Sequence, residues 1–540
     1  MSTLRSALAA QIGAELKMRL RSFAAPIALL VFFAGALFWI PDPVSKSATL
    51  TWQLPDGRIQ SPVYTAQYLG FSVAVLSSIF LSLGGFYLVA GSVRRDRESN
   101  VGAILAATPL SKTAYLGGKL AAHVVYLFAL SLLALVAGLI AFMRFGVGPF
   151  SLADFALPYF VLSLPAIVAV AAVAALFDVT PVLASRGGLA LFFFVFLFVL
   201  IKLPLDLSGA DVDDPSVNAK APMSLPVYDP AGLATDQWLV RKSLPSNVTG
   251  VSTGHVTHDK GIERVPWKGL DITPQLLGLR VLNLAFCAIP FAAAVLIFDR
   301  FDPSRRRRRA RRSGFFARIG ERLRGAAAVV DAPELTGRPV ALTPVSPEPS
   351  AAKAVIAEAR LIWESASWIK WPLAVAAILA RLLPGNMAQG IFLLLLVPVI
   401  SEAAAREDLS GTRALVWSQP GVPTSTPVWK AAALALFLLM LGAPMAIHGF
   451  AQSPARGVAC VVGLFAIALL ATGLSSLTSG GKLFSGVYLA VWYMALSGLP
   501  EADFSGALSK APGVPIVLAY LGLGILFLAA AAGREKLRRA

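Results

Sequence analysis

The sequence has few ionisable and few metal-binding side chains for its length. Of its 540 residues only 14% are charged, and there are two cysteines and four histidines. With 56% hydrophobic residues and a mean hydropathy of +0.70, this composition excludes a water-soluble globular protein of this size. We therefore expect an integral membrane protein.

The cysteines do not predict a disulfide framework, because Cys287 and Cys460 both lie inside apolar runs, where a thiol packs as a small side chain. Acidic residues are also scarce, 30 against 47 basic ones, and the net charge is +17. In a soluble chain this excess would indicate nucleic-acid binding, but cytoplasmic loops of membrane proteins accumulate Lys and Arg. We expect the lipid bilayer, and no nucleic acid, as a partner.

The sequence also lacks the G-x-x-x-x-G-K-[ST] loop that cradles the phosphates of ATP. Its nearest strings, GGKLA and GGKLF, have Leu120 and Leu483 where a hydroxyl would bind Mg²⁺. No set of nucleophile, base and orienting acid stands out, and His255, His258 and Asp259 are weak metal ligands in a loop. The chain is therefore expected to be no enzyme and to hold no metal or cofactor of its own.

Apolar runs of the roughly 20 residues that a helix needs to cross a bilayer are abundant. Helices are expected because they satisfy their own backbone hydrogen bonds in lipid. We predict about twelve transmembrane helices, at 24–41, 67–92, 120–143, 157–178, 188–204, 279–298, 371–386, 388–404, 429–448, 456–477, 483–499 and 513–533.

The fold class predicted is all-α, a polytopic membrane protein of two pseudo-repeated six-helix halves, 1–300 and 351–540. Residues 301–350, basic and then rich in Pro and Ala, would form a cytoplasmic linker. Placing both termini in the cytoplasm puts most Lys and Arg there. It leaves the acidic loop 205–276 outside, with Arg144 and Arg456 among a few exceptions near span ends.

A helix with a stripe of leucines and adjacent basic residues is predicted at 3–21, a pattern typical of helices lying on the inner membrane surface. A frayed cytoplasmic terminus is the alternative. The segment IGAELKMRLRS has a counterpart, IAEARLIWESAS, before the seventh predicted span, which aligns Glu15 with Glu358. The two halves therefore share more than hydropathy.

A second repeat follows the second span of each half, in segments 94–119 and 405–430. From Arg97 and Arg406 onward they read RESNVGAILAATPLSKTAYLGGK and REDLSGTRALVWSQPGVPTSTPVWK, the latter with two extra residues between Gly and Pro. Each begins with Arg-Glu, has a Gly four residues after the Glu, then a Pro, and reaches a Lys in the next span. The matched residues are Arg97, Glu98, Gly102, Pro109 and Lys119 in the first half and Arg406, Glu407, Gly411, Pro420 and Lys430 in the second.

The first of these segments is predicted to form a short amphipathic helix. Val101, Ile104 and Leu105 have the i, i+3, i+4 spacing of one helix face. Pro109 should stop the helix near Thr108, and Ser111 should cap the following span. Short connections would make the helix a rigid lever on two spans, although an ordinary cytoplasmic loop remains the alternative.

The two segments resemble the coupling segments of ABC-2-type transporter permeases, mostly bacterial exporters, which read roughly R-E-x-x-x-G-x-x-x-L-x-x-x-P. The resemblance is specific over 97–119 and covers 1–300 only in the order of elements; the second half departs more. It implies a fused two-half permease in a bacterial inner membrane, driven by a separate ABC ATPase subunit, in two copies, that binds ATP and Mg²⁺.

The resemblance further implies that Arg97, Glu98, Arg406 and Glu407 orient the coupling helices and that Val101, Ile104 and Leu105 supply packing, shaped by Gly102 and Pro109. The alternative function is a secondary carrier or a non-conducting membrane scaffold. Charge inside the predicted spans is sparse, with Glu402 the one carboxylate of interest. Because proton-coupled carriers use buried ionisable groups, this scarcity favours the permease.

Overall fold

Long apolar runs fold as helices in this protein, and polar or glycine-containing stretches separate them. The computed structural model describes residues 2–184, 188–189, 191–196, 198–199, 229–245, 247–257, 261–302, 351–366, 369–382, 386–413, 426–509 and 513–537. The predicted linker from residue 303 onward, residues 205–228 of the predicted outer loop, His258, Asp259 and Pro420 lie outside these ranges.

The helices are numbered here in chain order. Those with described bounds are α1 Ser2–Leu20, α2 Ala24–Trp39, α3 Ala66–Phe80, α4 Phe86–Val89, α5 Ser92–Glu98, α6 Val101–Ala107, α7 Lys112–Phe145, α8 Leu152–Val179, α9 Leu233–Ser243, α10 Pro274–Phe286, α11 Ala288–Ile297, α12 Ala351–Ser365, α13 Lys370–Leu382, α14 Met387–Ile400, α15 Arg406–Ser410, α16 Thr426–Gln452, α17 Pro454–Thr478, α18 Lys482–Leu496 and α19 Val514–Leu537.

Seven helices within the described ranges are long and apolar enough to cross a membrane: Ala66–Glu98, Lys112–Phe145, Leu152–Val179, Pro274–Ile297, Thr426–Gln452, Pro454–Thr478 and Val514–Leu537. An eighth arises if α1 and α2, which meet at 75°, form one span. Helices α14 and α18 are apolar but shorter than the spans predicted there, 388–404 and 483–499. The chain is thus a mostly helical, multi-pass membrane protein, and twelve helices in two halves stays a prediction.

The described residues form two compact units. The first lies within Met1–Asp302 together with Leu489–Leu499, and the second within Pro303–Tyr488 together with Pro500–Ala540. The end of the first stretch, Asp302, lies next to the predicted boundary at residue 300.

The first long span contains a wide turn. Residues Leu81–Gly85 form a π-helical turn between α3 and α4. A Cβ on Gly85 would lie 2.9 Å from the side chain of Leu127 in α7, so this position favours glycine. The backbone N–H of Leu81 is shared between the carbonyls of Ser77 and Ser78 as α3 gives way to the turn. Such turns are rare and mark an extra residue in a helix.

A small sheet is the feature that the all-α prediction misses. Strands β1 (Ser47–Gln53), β2 (Ile59–Pro62), β3 (Gly250–Thr257) and β4 (Glu263–Val265) assemble in the order β3-β1-β2-β4. β1 pairs antiparallel with β2 and β3, with Thr51 opposite Ser252, and β2 pairs parallel with β4. The pairing joins two loops that the sequence analysis places on the same side of the membrane.

Helix α9, also inside the predicted outer loop, is fixed by charged side chains. The Asp229 carboxylate accepts hydrogen bonds from the backbone N–H groups of Ala234 (2.9 Å) and Thr235 (2.8 Å) at the start of α9. Arg280 of α10 donates to the Asp229 carbonyl and, at 2.8 Å, to the Val161 carbonyl. The latter lacks its usual helical donor because residue 165 is a proline. Arg280 thereby ties α9 to α8.

Candidate coupling site

A buried carboxylate holds three elements together in the first unit. Glu15 of α1 is fully buried, and its Oε2 lies 2.7 Å from an Arg95 guanidinium nitrogen and 2.9 Å from Lys119 Nζ. Its Oε1 lies 3.1 Å from Arg19 Nε. Because a buried charge is tolerated only when it is paired, Glu15 fixes α1 to α5 and α7.

Lys119 has a second carboxylate within reach. Its side chain is 1% exposed, and Nζ lies 2.9 Å from Asp96 Oδ2 of α5. The same Asp96 oxygen accepts a 2.7 Å hydrogen bond from the Tyr115 hydroxyl. Two residues one turn apart at the start of α7, Tyr115 and Lys119, therefore bind the same carboxylate of α5.

The helix is interrupted at Ala90 and Gly91, just before α5, and charged side chains bind the backbone groups that this interruption leaves without helical partners. Ala90 is extended and Gly91 has φ +90°, a left-handed conformation that favours glycine. Arg19 donates to the Leu88 carbonyl (2.7 Å) and the Val89 carbonyl (3.0 Å), which the break leaves without helical donors. Long-range contacts thus stabilise a break within the first long span.

Asp178 supplies the acceptor on the other side of this break. Its carboxylate, at the end of α8, accepts from the N–H groups of Gly91 and Val93 and from the Ser92 hydroxyl. A carboxylate at this position also complements the positive end of the helix dipole of α5. The contacts join α8 to the same network.

The predicted coupling segment contains two helices rather than one. Arg97 and Glu98 lie at the end of α5, so they do not head the amphipathic helix as predicted. Asn100 then takes a left-handed conformation, φ 59°, before α6 begins. The predicted end and cap of the segment are confirmed, because Thr108 is extended (ψ 158°) and Ser111 Oγ accepts from Ala114 N–H at 3.1 Å.

Helix α6 is braced by the residues that follow α11. A Cβ on Gly102 would lie 2.6 Å from the Phe301 ring, so only glycine permits this approach. Arg97 pairs with Asp299 at 3.2 Å and stacks on Phe301, and Arg300 donates to the Thr108 carbonyl. Leu105 packs on a buried cluster formed by Val93, Tyr115, Leu116, Ala175, Val179, Ala294 and Phe298.

The other face of α6 is open. The exposed fraction is 43% for Val101 and 69% for Ile104, and Pro109 is exposed as well. Glu98, whose side chain is 68% exposed, lies 3.5 Å from the Arg94 guanidinium. Among the described residues Leu105 packs on the buried cluster, whereas Val101 and Ile104 are exposed to contact with another molecule.

The second unit has a similar arrangement. Glu358 of α12 pairs with Arg406 of α15 at 3.2 Å, and Glu407 pairs with Lys430 of α16. Lys430 also donates to the Ala404 carbonyl at 2.9 Å. Burial raises the pKa of Glu358, and the Arg406 guanidinium opposes this rise.

The end of α15 has its own connection. Gly411, at φ 70°, ends the helix in a left-handed conformation. Arg413 then bridges Asp408 (2.7 Å) and Glu535 of α19 (2.6 Å). Gly411 thus terminates a helix, whereas Gly102 permits a close contact, so the two matched glycines do different work.

The contacts within each unit match different residues of the two repeats from those that the sequence alignment matches. Arg95-Asp96 occupies the place of Arg406-Glu407. In each pair the arginine contacts a glutamate, of α1 or α12, and the acidic residue contacts a lysine of the next span. The alignment uses Arg97-Glu98 instead, two residues later. Glu15 corresponds to Glu358 in both comparisons.

Sequence reasoning missed several residues of this network: Arg19, Asp96, Asp178, His123 and the 298–301 segment. Asp178 carried a signal, because it is a carboxylate at the end of an apolar run. Buried His123 lies 2.8 Å from an Arg19 nitrogen, which no local pattern indicates. Among the described residues, no group of three or more His, Cys, Asp or Glu side chains could hold a metal ion.

Helix α6 is joined by short connections to α5 and α7, whose ends are held by ion pairs, and its exposed face is apolar. Comparison with known proteins finds no match: no family model matches the chain, and no curated protein or solved structure is significantly similar to it.

Proposed function

We propose that this chain is the membrane-spanning permease of an ATP-driven ABC transporter of the ABC-2 type, acting in export. A separate ATPase subunit, in two copies, would bind ATP and Mg²⁺ and contact the segments 94–119 and 405–430. The observation that carries the proposal is α6, an exposed apolar helix between α5 and α7, which a buried ion network joins to each other and to α1. A weaker parallel is α15, which exposes Leu409 and is anchored through Glu358 and Lys430.

The mechanism requires a stiff connection between the partner and the spans. ATP binding can shift the membrane helices only if it favours one of their arrangements. The Glu15 network links α5 and α7 to α1, so a push on α6 moves the ends of three helices as one. Both termini and both segments would lie in the cytoplasm of a bacterial inner-membrane protein.

A crosslinking experiment tests the partner. A photoreactive benzoylphenylalanine replaces Ile104, and in a control it replaces Val44, which is 94% exposed in a predicted outer loop. We expect residue 104 to capture a protein that carries a G-x-x-x-x-G-K-[ST] loop and residue 44 not to do so. Capture of no such protein at 104, or of the same one from both positions, would count against the proposal.

A functional readout uses the purified complex of the two proteins. Ile104→Asp places a charge in the proposed contact without touching the core, because Ile104 is exposed. We expect this variant to lose about tenfold in stimulated ATP hydrolysis, as for one interface anchor, whereas Val44→Asp retains it. Equal stimulation in both variants would separate α6 from the ATPase.

The alternative, a secondary carrier, has one observation in its favour. Glu15, Lys119 and His123 form a buried ionisable cluster, and ion-coupled carriers use such groups. A carrier would move substrate along an ion gradient in vesicles without any ATPase. Transport that requires the partner and ATP would exclude this alternative and the scaffold alike.

A further inference from the structure

A cavity of about 250 Å³ lies in the second unit at the ends of α14, α16 and α17, opposite to the Lys430 end of α16. Its walls follow from the tight connection between α16 and α17. Ser453 Oγ caps α17 by accepting from Arg456 N–H at 3.2 Å. A Cβ on Gly457 would lie 2.2 Å from the Phe450 ring, so glycine lets the two helices cross closely.

Polar side chains from three segments converge on this cavity. Arg456 donates to Gln452 Oε1 and to the Ser509 carbonyl, and His448 Nε2 lies 2.7 Å from Gln452 Nε2. Gln389 is 3% exposed, and its Oε1 has no hydrogen-bond partner among the described residues. An unsatisfied buried amide oxygen is costly, and a ligand hydroxyl could supply the missing donor.

The lining favours a negatively charged group. Arg456 lines the cavity, and none of the described lining residues is acidic. The nearby Asp503 carboxylate is engaged elsewhere, since it accepts from the backbone N–H groups of Leu508 (3.1 Å) and Ser509 (2.8 Å). A guanidinium matches the geometry of phosphate and carboxylate oxygens.

Apolar side chains are exposed on the two helices that supply most of the lining. Four large ones on α16 and α17 are exposed, and by helical spacing they lie on other faces than the lining residues: Met440, Ile447, Phe450 and Val458. In a membrane protein such a face contacts acyl chains. Arg456 is also a cation at the predicted outer end of a span, where Lys and Arg are depleted, so it calls for a local explanation.

We propose that this cavity binds the phosphate group of an anionic phospholipid from the leaflet at that end of the spans. Arg456 contacts the phosphate, Gln389 accepts from a headgroup hydroxyl, and the acyl chains leave the cavity toward the surrounding bilayer. A volume of about 250 Å³ corresponds to roughly eight water molecules at ~30 Å³ each, which suits a phosphoglycerol headgroup.

The test measures lipid retention by the full-length chain. Protein is reconstituted in phosphatidylcholine vesicles that contain a minor fraction of phosphatidylglycerol, and bound lipid is then counted by native mass spectrometry. Arg456→Gln is compared with Arg144→Gln, a matched cation near a span end that is exposed and stacks on Phe145. We expect wild type and R144Q to retain phosphatidylglycerol and R456Q to bind it about tenfold more weakly.

A second variant guards against misfolding of R456Q. Ala507→Trp fills the cavity from a loop residue while keeping Arg456, and it should also lose the lipid with an unchanged melting temperature. Equal retention by all variants, or no enrichment in wild type, would overturn the proposal. Soluble glycerol 3-phosphate distinguishes the source: if it stabilises wild type but not R456Q while no lipid is retained, the site binds a free anion and the lipid assignment fails.

Discussion

Glu15 is the residue on which the first-unit network depends. It faces Arg19, Arg95 and Lys119, and neither Glu15 nor Lys119 reaches solvent. A pair of this kind gains little over an apolar pair, yet breaking it leaves a buried charge without compensation. The Glu15 ion pairs therefore serve mainly to fix where α1, α5 and α7 meet.

We predict that Glu15→Gln lowers the free energy of unfolding by about 3 kcal/mol, near the lower end of the range for a broken buried pair, because Asp96 still faces Lys119. Chemical denaturation of the purified protein in detergent measures this. Glu98→Gln is the control, since the exposed Glu98–Arg94 contact should contribute less than about 1 kcal/mol. Equal losses in the two variants would contradict the role of Glu15.

Asp236 of α9 gives a pH dependence. Burial, and next the neighbouring Asp229, raise the pKa of Asp236 well above its ordinary value of 3.8. A raised pKa in the folded state means that folding favours the protonated form, so stability is lost as the pH rises from 3.8 through the folded-state pKa.

Asp236→Asn should remove this loss. We expect its melting temperature to fall less than that of wild type between about pH 4 and about pH 8. Asp56→Asn serves as a control of opposite sign, because hydrogen bonds from Arg58 lower the pKa of the exposed Asp56, so its contribution is lost only as the pH falls. Parallel profiles for wild type and D236N would show that Asp236 is not a stability determinant.

At the scale of elements, α6 depends on one close contact. Gly102 faces the Phe301 ring with no room for a side chain. Gly102→Leu should therefore push α6 away from the 298–301 segment and cost about 1–3 kcal/mol, as overpacking does. Ala103→Leu adds the same side chain at an exposed neighbouring position and should be nearly neutral; thermal unfolding of the two variants measures the difference. Similar melting temperatures would exclude a tight α6–Phe301 contact.

The end of α6 and the start of α7 could be predicted from the residues next to them. The stop before Pro109 and the cap at Ser111 follow from backbone sterics and from one hydroxyl, and both are confirmed. The left-handed Asn100 and the bracing by Phe301 were not predictable, because neither depends on neighbouring residues alone. Asn tolerates this conformation, but the sequence does not show that the chain needs it.

At the scale of the whole molecule, apolar length predicted the long helices well and the sheet not at all. The strands are short, and β1 pairs with a segment about 200 residues away, as Thr51 opposite Ser252 shows. No alternation in so short a stretch specifies its partner. Buried charges were missed for a similar reason: Lys119 looked like an ordinary cytoplasmic cation until Glu15, 104 residues away, was placed beside it.

The sheet provides a test of topology. Thr51→Cys with Ser252→Cys should form a disulfide in cells without added oxidant, because paired strand residues lie within bonding reach and the predicted outer side is oxidising. Thr51→Cys with Thr253→Cys is the control, since adjacent strand residues point to opposite faces. Mobility on non-reducing gels reports the bond. A pair that crosslinks only after oxidant is added to membranes would confirm the sheet but reverse the orientation.

The π-helical turn at Leu81–Gly85 has a consequence for motion. A π turn holds one residue more than an α turn, and each residue of an α-helix turns the chain by about 100°. Rewinding this turn to regular α geometry would turn α4 around its axis by roughly that angle, and through the break at Gly91 this would move Arg95 and Asp96 of α5 relative to Glu15 and Lys119. The ion network therefore acts as a latch on the rotational setting of the span.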